Sequence, residues 1–138
     1  MTPPASNLNL PPAWRKLRDT ARAARLNAYS PYSKYRVGAA LLASSGIIYP
    51  GCNVENASYG LTICAERSAV CSAVSSGEKN IMEICISLTG TPVPCGACRQ
   101  FLYEFNPDMI VLLDNLDQED VPPEVVRLSD LLPRGFRL

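Results

Sequence analysis

In "TICAERSAV", residues 62–70, a thiol, a carboxylate and a guanidinium stand within four consecutive positions, Cys64 to Arg67. Further along, "PCGAC" sets Cys95 and Cys98 in a C-x-x-C pair. The chemistry these residue types suit is metal binding coupled to proton transfer. If "PCGAC" opens a helix, positions i and i+3 face the same way and grip one ion. Alone, that spacing also fits a redox pair. Cys64, at another predicted helix start, is a third thiol, and a helix N-terminus favours thiolate at all three. Three thiolates leave a tetrahedral zinc one open position, the pattern of catalytic rather than structural sites. Glu66 then stands beside that position, suited to carry a proton from an activated water. The plainer reading is a solvated first-turn glutamate favoured by the helix dipole. Arg67 donating to a thiolate would draw off excess negative charge. Arg99 could act likewise or be an exposed helical arginine.

The chain contains no histidine. Any general base must therefore be Glu, Asp, Cys, Tyr or Lys, and Ser–His or Cys–His nucleophiles are excluded. Of the remaining cysteines, Cys71 lies roughly two helical turns from Cys64, about 10 Å away. Cys85 reads as a small core residue in a strand. Cys52 precedes a loop and is the competitor for a fourth ligand, which would turn the site into a structural one.

The elements that must position these groups follow from periodicity and breakers. A helix from Pro12 carries Trp14, Leu17, Ala21, Ala24 and Ala28 on one stripe, and Pro31 in "YSPYSKY" stops it. "RVGAALLA" and "IIYPGCNV" around Ser44–Gly46 predict a hairpin. A helix is expected from near Cys64 to near Gly77, then a strand over 82–88. The next helix starts at Cys95 or Gly96 with Cys98, Phe101, Leu102 and Phe105 on one face. "MIVLLD" reads as a central buried strand, "VVRL" as an edge strand, and "SDLLPRGF" as a helical turn with Ser129 as its N-cap. Strand–helix–strand crossovers after the hairpin imply parallel neighbours. The pattern is an α/β layered domain on a mixed sheet, one domain over 1–138 with a loose lead-in over 1–11.

Composition bounds the partners. Thirteen Lys and Arg balance thirteen Asp and Glu, so the net charge is zero. No basic field holds a nucleic-acid backbone, and a small substrate is expected. In "MTPPASNLNLPPAW" no apolar segment follows positive charge, and no run approaches the roughly 18 apolar residues of a membrane span. A cytoplasmic location is expected. There, six cysteines argue for metal or catalysis before disulfides.

Cys64-x-Glu66 followed by Pro94-Cys95-x-x-Cys98 is the three-cysteine form of the zinc deaminase signature. With "YSPYSKYRVGAALL", "GCNVENASYG", "CAERSAV", "PCGACRQ" and "LLPRGF", the chain from about Ala28 to Phe136 resembles the small homotetrameric cytidine deaminases. The resemblance implies a three-layer α/β/α sandwich with about five strands. It implies one Zn²⁺ per subunit on Cys64, Cys95 and Cys98, with Glu66 as proton shuttle. Asn53 and Glu55, which alternate along one extended segment and so share a face, would bind the ribose hydroxyls. The backbone around Ala65 would meet the pyrimidine edge. Tyr35, where the family usually has phenylalanine, would line the base pocket. Phe136, Ala57 and Tyr59 would reach a neighbouring subunit's site.

The implied reaction is hydrolytic deamination of cytidine and 2′-deoxycytidine to the uridines, releasing ammonia, as in pyrimidine salvage. A zinc-activated hydroxide would attack C4 while Glu66 carries the proton. The alternatives are an aminonucleoside-antibiotic deaminase of the blasticidin S type and a non-catalytic zinc module with four protein ligands. The small residues Ala65, Ser68, Ala69, Ser72 and Ala73 suit either a second subunit's helix or this chain's own sheet.

Overall fold

Period-two alternation in three apolar strands divides the molecule into layers. The computed structural model describes residues 10–138. In β1 (Gly38–Ala43), Ala39 and Leu41 face one side of the sheet and Ala40 the other. β3 (Ile81–Leu88) sends Ile84, Ile86 and Leu88 to the first side and Cys85 to the second. β4 (Ile110–Asn115) divides Val111 and Leu113 from Leu112 in the same way. Helix α1 (Pro12–Arg25) covers the second side with Leu17 and Ala21. Helices α2 (Ala65–Ser75), α3 (Gly96–Tyr103) and the short α4 (Leu128–Leu131) cover the first. The expected α/β/α sandwich results, because strands apolar on both faces demand cover on both.

Two further strands complete the sheet, β2 (Ile48–Cys52) and β5 (Glu124–Arg127), in the order β2-β1-β3-β4-β5. Only β3 and β4 pair in parallel; the other neighbours are antiparallel. The expectation of parallel neighbours therefore holds for one crossover and not for the other. α2 packs across β2 and β1 and sets β3 on the free edge of β1. β2 and β3 run the same way without touching. This has a direct consequence for function. α2 and α3 both begin at the carboxyl ends of strands that point the same way, the end at which open α/β sheets bind ligands.

The hairpin closes as expected, with Gly46 at φ +89° and its N–H donating to the Ala43 carbonyl at 2.9 Å. Three details differ. α1 stops at Arg25 and does not carry to Ala28, because Tyr29 is drawn into a bridge with Val54. There the Tyr29 N–H donates to the Asn53 carbonyl and its own carbonyl accepts from Glu55, both at 2.9 Å. Ser129 lies inside α4 and is not its cap, since Arg127 holds that position. The lead-in falls mostly outside the described residues, but Leu10 is buried and Pro11 is the cap residue of α1, so its end is fixed.

α1 is fastened to the sheet by a buried polar cluster. Arg22 donates from Nε and Nη2 to the two carboxylate oxygens of Asp114, both at 2.8 Å. The Ser87 hydroxyl donates to Asp114 at 2.6 Å, from the position paired with Asp114 across β3 and β4. Asp114 is wholly buried, and a bidentate cation with a hydroxyl is the company a buried carboxylate needs.

Candidate active site

The shared direction of β2 and β3 brings the two helix starts together. Cys64 is the N-cap residue of α2 and Cys95 that of α3, while Cys98 follows in the first turn of α3. The three sulfurs lie within 4.8 Å of one another, with Cys64 and Cys95 4.0 Å apart. Zinc bound tetrahedrally at about 2.3 Å from each sulfur places the sulfurs about 3.8 Å apart. The donor set and its spacing therefore fit zinc. Among the described residues no fourth His, Cys, Asp or Glu joins the group. Cys52 and Cys71 stand outside it and Cys85 is buried in the sheet, so the four-thiol structural alternative lacks its last ligand.

The expected thiolate is favoured at Cys64 and opposed at Cys98. Cys64 is held down to about 5, first by the bond from the Cys98 thiol and then by Arg67. Cys98 is pushed up, first by that same bond to Cys64 and then by burial. The bond between them favours the charge on Cys64 over Cys98, and a cation at the site favours ionisation of the thiols it binds. Arg67 donates from Nη2 to the Cys64 sulfur at 3.4 Å and to the Thr62 carbonyl at 3.5 Å. That sulfur in turn raises the Arg67 pKa.

Arg99 takes neither of its expected roles. It donates to the Pro94 carbonyl at 2.7 Å and to the Leu131 carbonyl at 2.8 Å, tying the loop before Cys95 to α4.

Above the thiols opens a cleft of about 330 Å³. Tyr35, Asn53, Glu55, Cys64, Ala65, Glu66 and Cys95 all line it, with Cys98 buried beside them. Glu66 is 4% exposed, and burial first of all raises its carboxyl pKa, against the pull of its own backbone N–H and the Cys98 thiol.

Asn53 and Glu55 share one wall, as their alternation requires. Asn53 accepts from the Val37 N–H at 2.9 Å and donates to the Tyr35 carbonyl at 2.8 Å. Glu55 accepts from the Tyr32 and Ser33 N–H groups at 3.0 and 3.1 Å and from the Ser33 hydroxyl. The Ser33 hydroxyl foremost lowers the Glu55 pKa, so this carboxylate is pre-oriented and ionised. Both side chains keep hydrogen-bonding capacity facing the cleft.

Ala57, Tyr59 and Phe136 do not line this cleft. Tyr59 borders a neighbouring hollow with Tyr32 and Asn56 and is 77% exposed, and Phe136 is 66% exposed. Sequence reasoning missed Ser33 as the anchor of Glu55. It also missed Ile86, Leu88, Thr91 and Val93 as the opposite wall. The strand's apolar end and the "TPVP" loop are too common in type to signal a site on their own. The small residues of α2 divide by face. Ala65, Ala69 and Ala73 are buried on this chain's own sheet, while Ser72 is exposed and Ser68 half-buried.

Fold and site together define an α/β/α domain with a three-thiol metal centre at the floor of a small-molecule cleft. Residues 14–114 match the model of the cytidine and deoxycytidylate deaminase zinc-binding region. The chain is 47% identical to a cytidine deaminase of Sporosarcina psychrophila over 124 residues, 88% of this chain and 89% of that protein. It is 42% identical over 127 residues to the cytidine deaminase of Mycobacterium tuberculosis H37Rv, covering 91% and 90%. The crystal structure of a cytidine deaminase from Burkholderia pseudomallei superposes with a TM-score of 0.83 at 43% identity, covering 88% of this chain and 98% of that one. A dCMP deaminase of cyanophage S-TIM5, at 20% identity and a TM-score of 0.52, shares the fold alone. The chain belongs to the cytidine and deoxycytidylate deaminase family and is a zinc protein.

Proposed function

We propose that this chain is a cytidine deaminase, converting cytidine and 2′-deoxycytidine with water to uridine and 2′-deoxyuridine and releasing ammonia. The observation that carries the reading is one cleft holding a three-thiol site, a buried carboxylate and a polar wall, with no Lys or Arg among its lining residues. Cys64, Cys95 and Cys98 hold the zinc. Zinc, when bound, supplies a water made acidic enough to react near neutral pH. Glu66 takes the proton of the attacking water and delivers it to N3 of the ring, then helps protonate the departing amino group. Asn53 and Glu55 hold the sugar hydroxyls, and the backbone at Ala65 meets the pyrimidine edge. Tyr35 flanks the base. Arg67 moderates the charge on Cys64 and so keeps the metal a good Lewis acid.

A phosphate in this cleft would lie near the ionised Glu55 with no lining cation to meet it, which favours nucleosides over nucleotides. The test is zinc content measured beside ammonia release from cytidine, 2′-deoxycytidine, dCMP and blasticidin S. One zinc per chain and turnover of the two nucleosides alone are expected. Chelation should abolish that turnover and zinc should restore it. Zinc-loaded protein inert on both nucleosides would overturn the reading.

The assembly is part of the same proposal. Tyr32, Tyr59, Leu61 and Phe136 are each at least half exposed, and Tyr32 and Tyr59 border the hollow next to the cleft. Exposed apolar side chains of this kind suit burial against other subunits. A homotetramer in which Phe136, Ala57 and Tyr59 reach a neighbour's cleft accounts for them. Light scattering should return four times the mass of one chain, and a monomer that deaminates cytidine at full rate would refute shared sites. All six cysteines are free thiols, and among the described residues no helix is long and apolar enough to cross a membrane. Both support a cytoplasmic location.

A further inference from the structure

Tyr35 sits at the mouth of the cleft, 43% exposed, with its side chain on the lining. Its hydroxyl donates to the carbonyl oxygen of Thr89 at 2.7 Å. This bond joins two segments at the cleft just beyond the β1–β3 ladder, in which Gly38 pairs with Ser87. Tyr35 belongs to the segment between α1 and β1, whereas Thr89 follows β3 and begins the loop that delivers Cys95.

Each partner is anchored on its own side. The Tyr35 N–H donates to the Ser33 hydroxyl oxygen at 3.0 Å, and the Tyr35 carbonyl accepts from Asn53 at 2.8 Å. The far loop is held early by the Gly90 N–H on Asn115 at 3.3 Å and late by Arg99 on the Pro94 carbonyl at 2.7 Å. Between those points Thr91 and Val93 line the cleft and are exposed, and among the described residues no hydrogen bond holds them. A loop pinned only at its ends leaves the cleft width free to vary. The hydroxyl of Tyr35 ties the first residue of this loop, Thr89, to the segment before β1. Burial raises the phenol pKa, so the hydroxyl keeps its proton and stays a donor.

We infer that Tyr35 is a positioning residue whose hydroxyl clasps the start of the 89–94 loop and so sets the width available to substrate. The clasp acts on binding through the loop and leaves the proton transfer at Glu66 alone. Its kinetic consequence rests on the nucleoside reading above; its structural consequence does not.

Tyr35→Phe keeps the ring and removes only the donor, leaving the Thr89 carbonyl to water. Two measurements on the zinc-loaded protein test the clasp. Exchange of the Gly90 amide, held on Asn115 next to the clasp, should speed up about three- to tenfold without substrate, the worth of one neutral hydrogen bond. KM for cytidine should rise by a similar factor while kcat, zinc content and the thermal midpoint hold. Unchanged exchange would overturn the clasp. So would faster exchange with an unchanged KM, or a loss confined to kcat. If the unmutated chain deaminates no nucleoside, the functional reading fails, and the exchange comparison alone still supports or sinks the clasp.

Discussion

Glu66→Gln is expected to keep one zinc per chain and to lose turnover by at least about 10²–10⁴-fold, the usual worth of positioned acid–base catalysis. The amide matches the carboxylate in size, so the packing around a side chain 4% exposed is preserved. It cannot accept a proton from water or hand one to the ring, so a step that needs both is left without its carrier. The fold should not suffer. A buried carboxylate is costly in its charged form, and a neutral amide at the same place removes that cost. Nor should the metal be lost, because the three sulfurs that fit it are untouched. Metal analysis, the thermal midpoint and single-turnover rates on one preparation decide the matter. Normal turnover with zinc bound would remove Glu66 from the mechanism. Loss of turnover together with zinc would reassign it to holding the site.

The thiols, Glu66 and the polar wall were legible because each is an uncommon residue type at a constrained spacing. C-x-x-C at a helix start fixes a direction, and Asn53 and Glu55 two apart on an extended segment must share a face. The layers were legible because "MIVLLD" is apolar at successive positions, and a strand apolar on both faces demands cover on both. The misses share a different cause. The end of α1 is set by a bridge between Tyr29 and Val54, residues far apart in the chain. Arg99 turned to two carbonyls, one of them on α4. The place of β3 beside β1 depends on how α2 packs. In each case a tertiary partner outweighed a local preference, and no local pattern encodes such a partner. The rise at Cys98 has the same kind of cause. A helix start favours a thiolate, but the bond to Cys64 that opposes one at Cys98 arises only once the sulfurs are brought within reach.

Gly51→Val is expected to be among the most damaging single changes outside the reacting groups, although Gly51 does not line the cleft. Gly51 lies in β2 opposite Ala39, with α2 laid directly over it. A Cβ there would stand 2.5 Å from the Ala65 carbonyl oxygen and 2.5 Å from the Ala69 backbone nitrogen. Real contacts are essentially never that short, and both offending atoms are backbone. No rotamer change relieves the clash, so α2 itself must move. Its buried alanines, Ala65, Ala69 and Ala73, show why it sits so close: with side chains this small the helix backbone rests on the strand. The cost should reach or exceed the upper end of the about 1–3 kcal/mol of ordinary overpacking. For a domain of this size that lowers the thermal midpoint by about 10 °C or more. The displaced element is the one whose cap is Cys64 and whose first turn holds Glu66. Zinc affinity and turnover should therefore fall together, unlike the clean split expected of Glu66→Gln. Gly51→Ala should show the same signature in weaker form, because a single methyl already meets both atoms. A Gly51→Val chain that melts within about 2 °C of the unmutated protein and binds zinc normally would refute the close α2–β2 approach. It would remove the reason why the small residues after "CAE" matter to the chemistry.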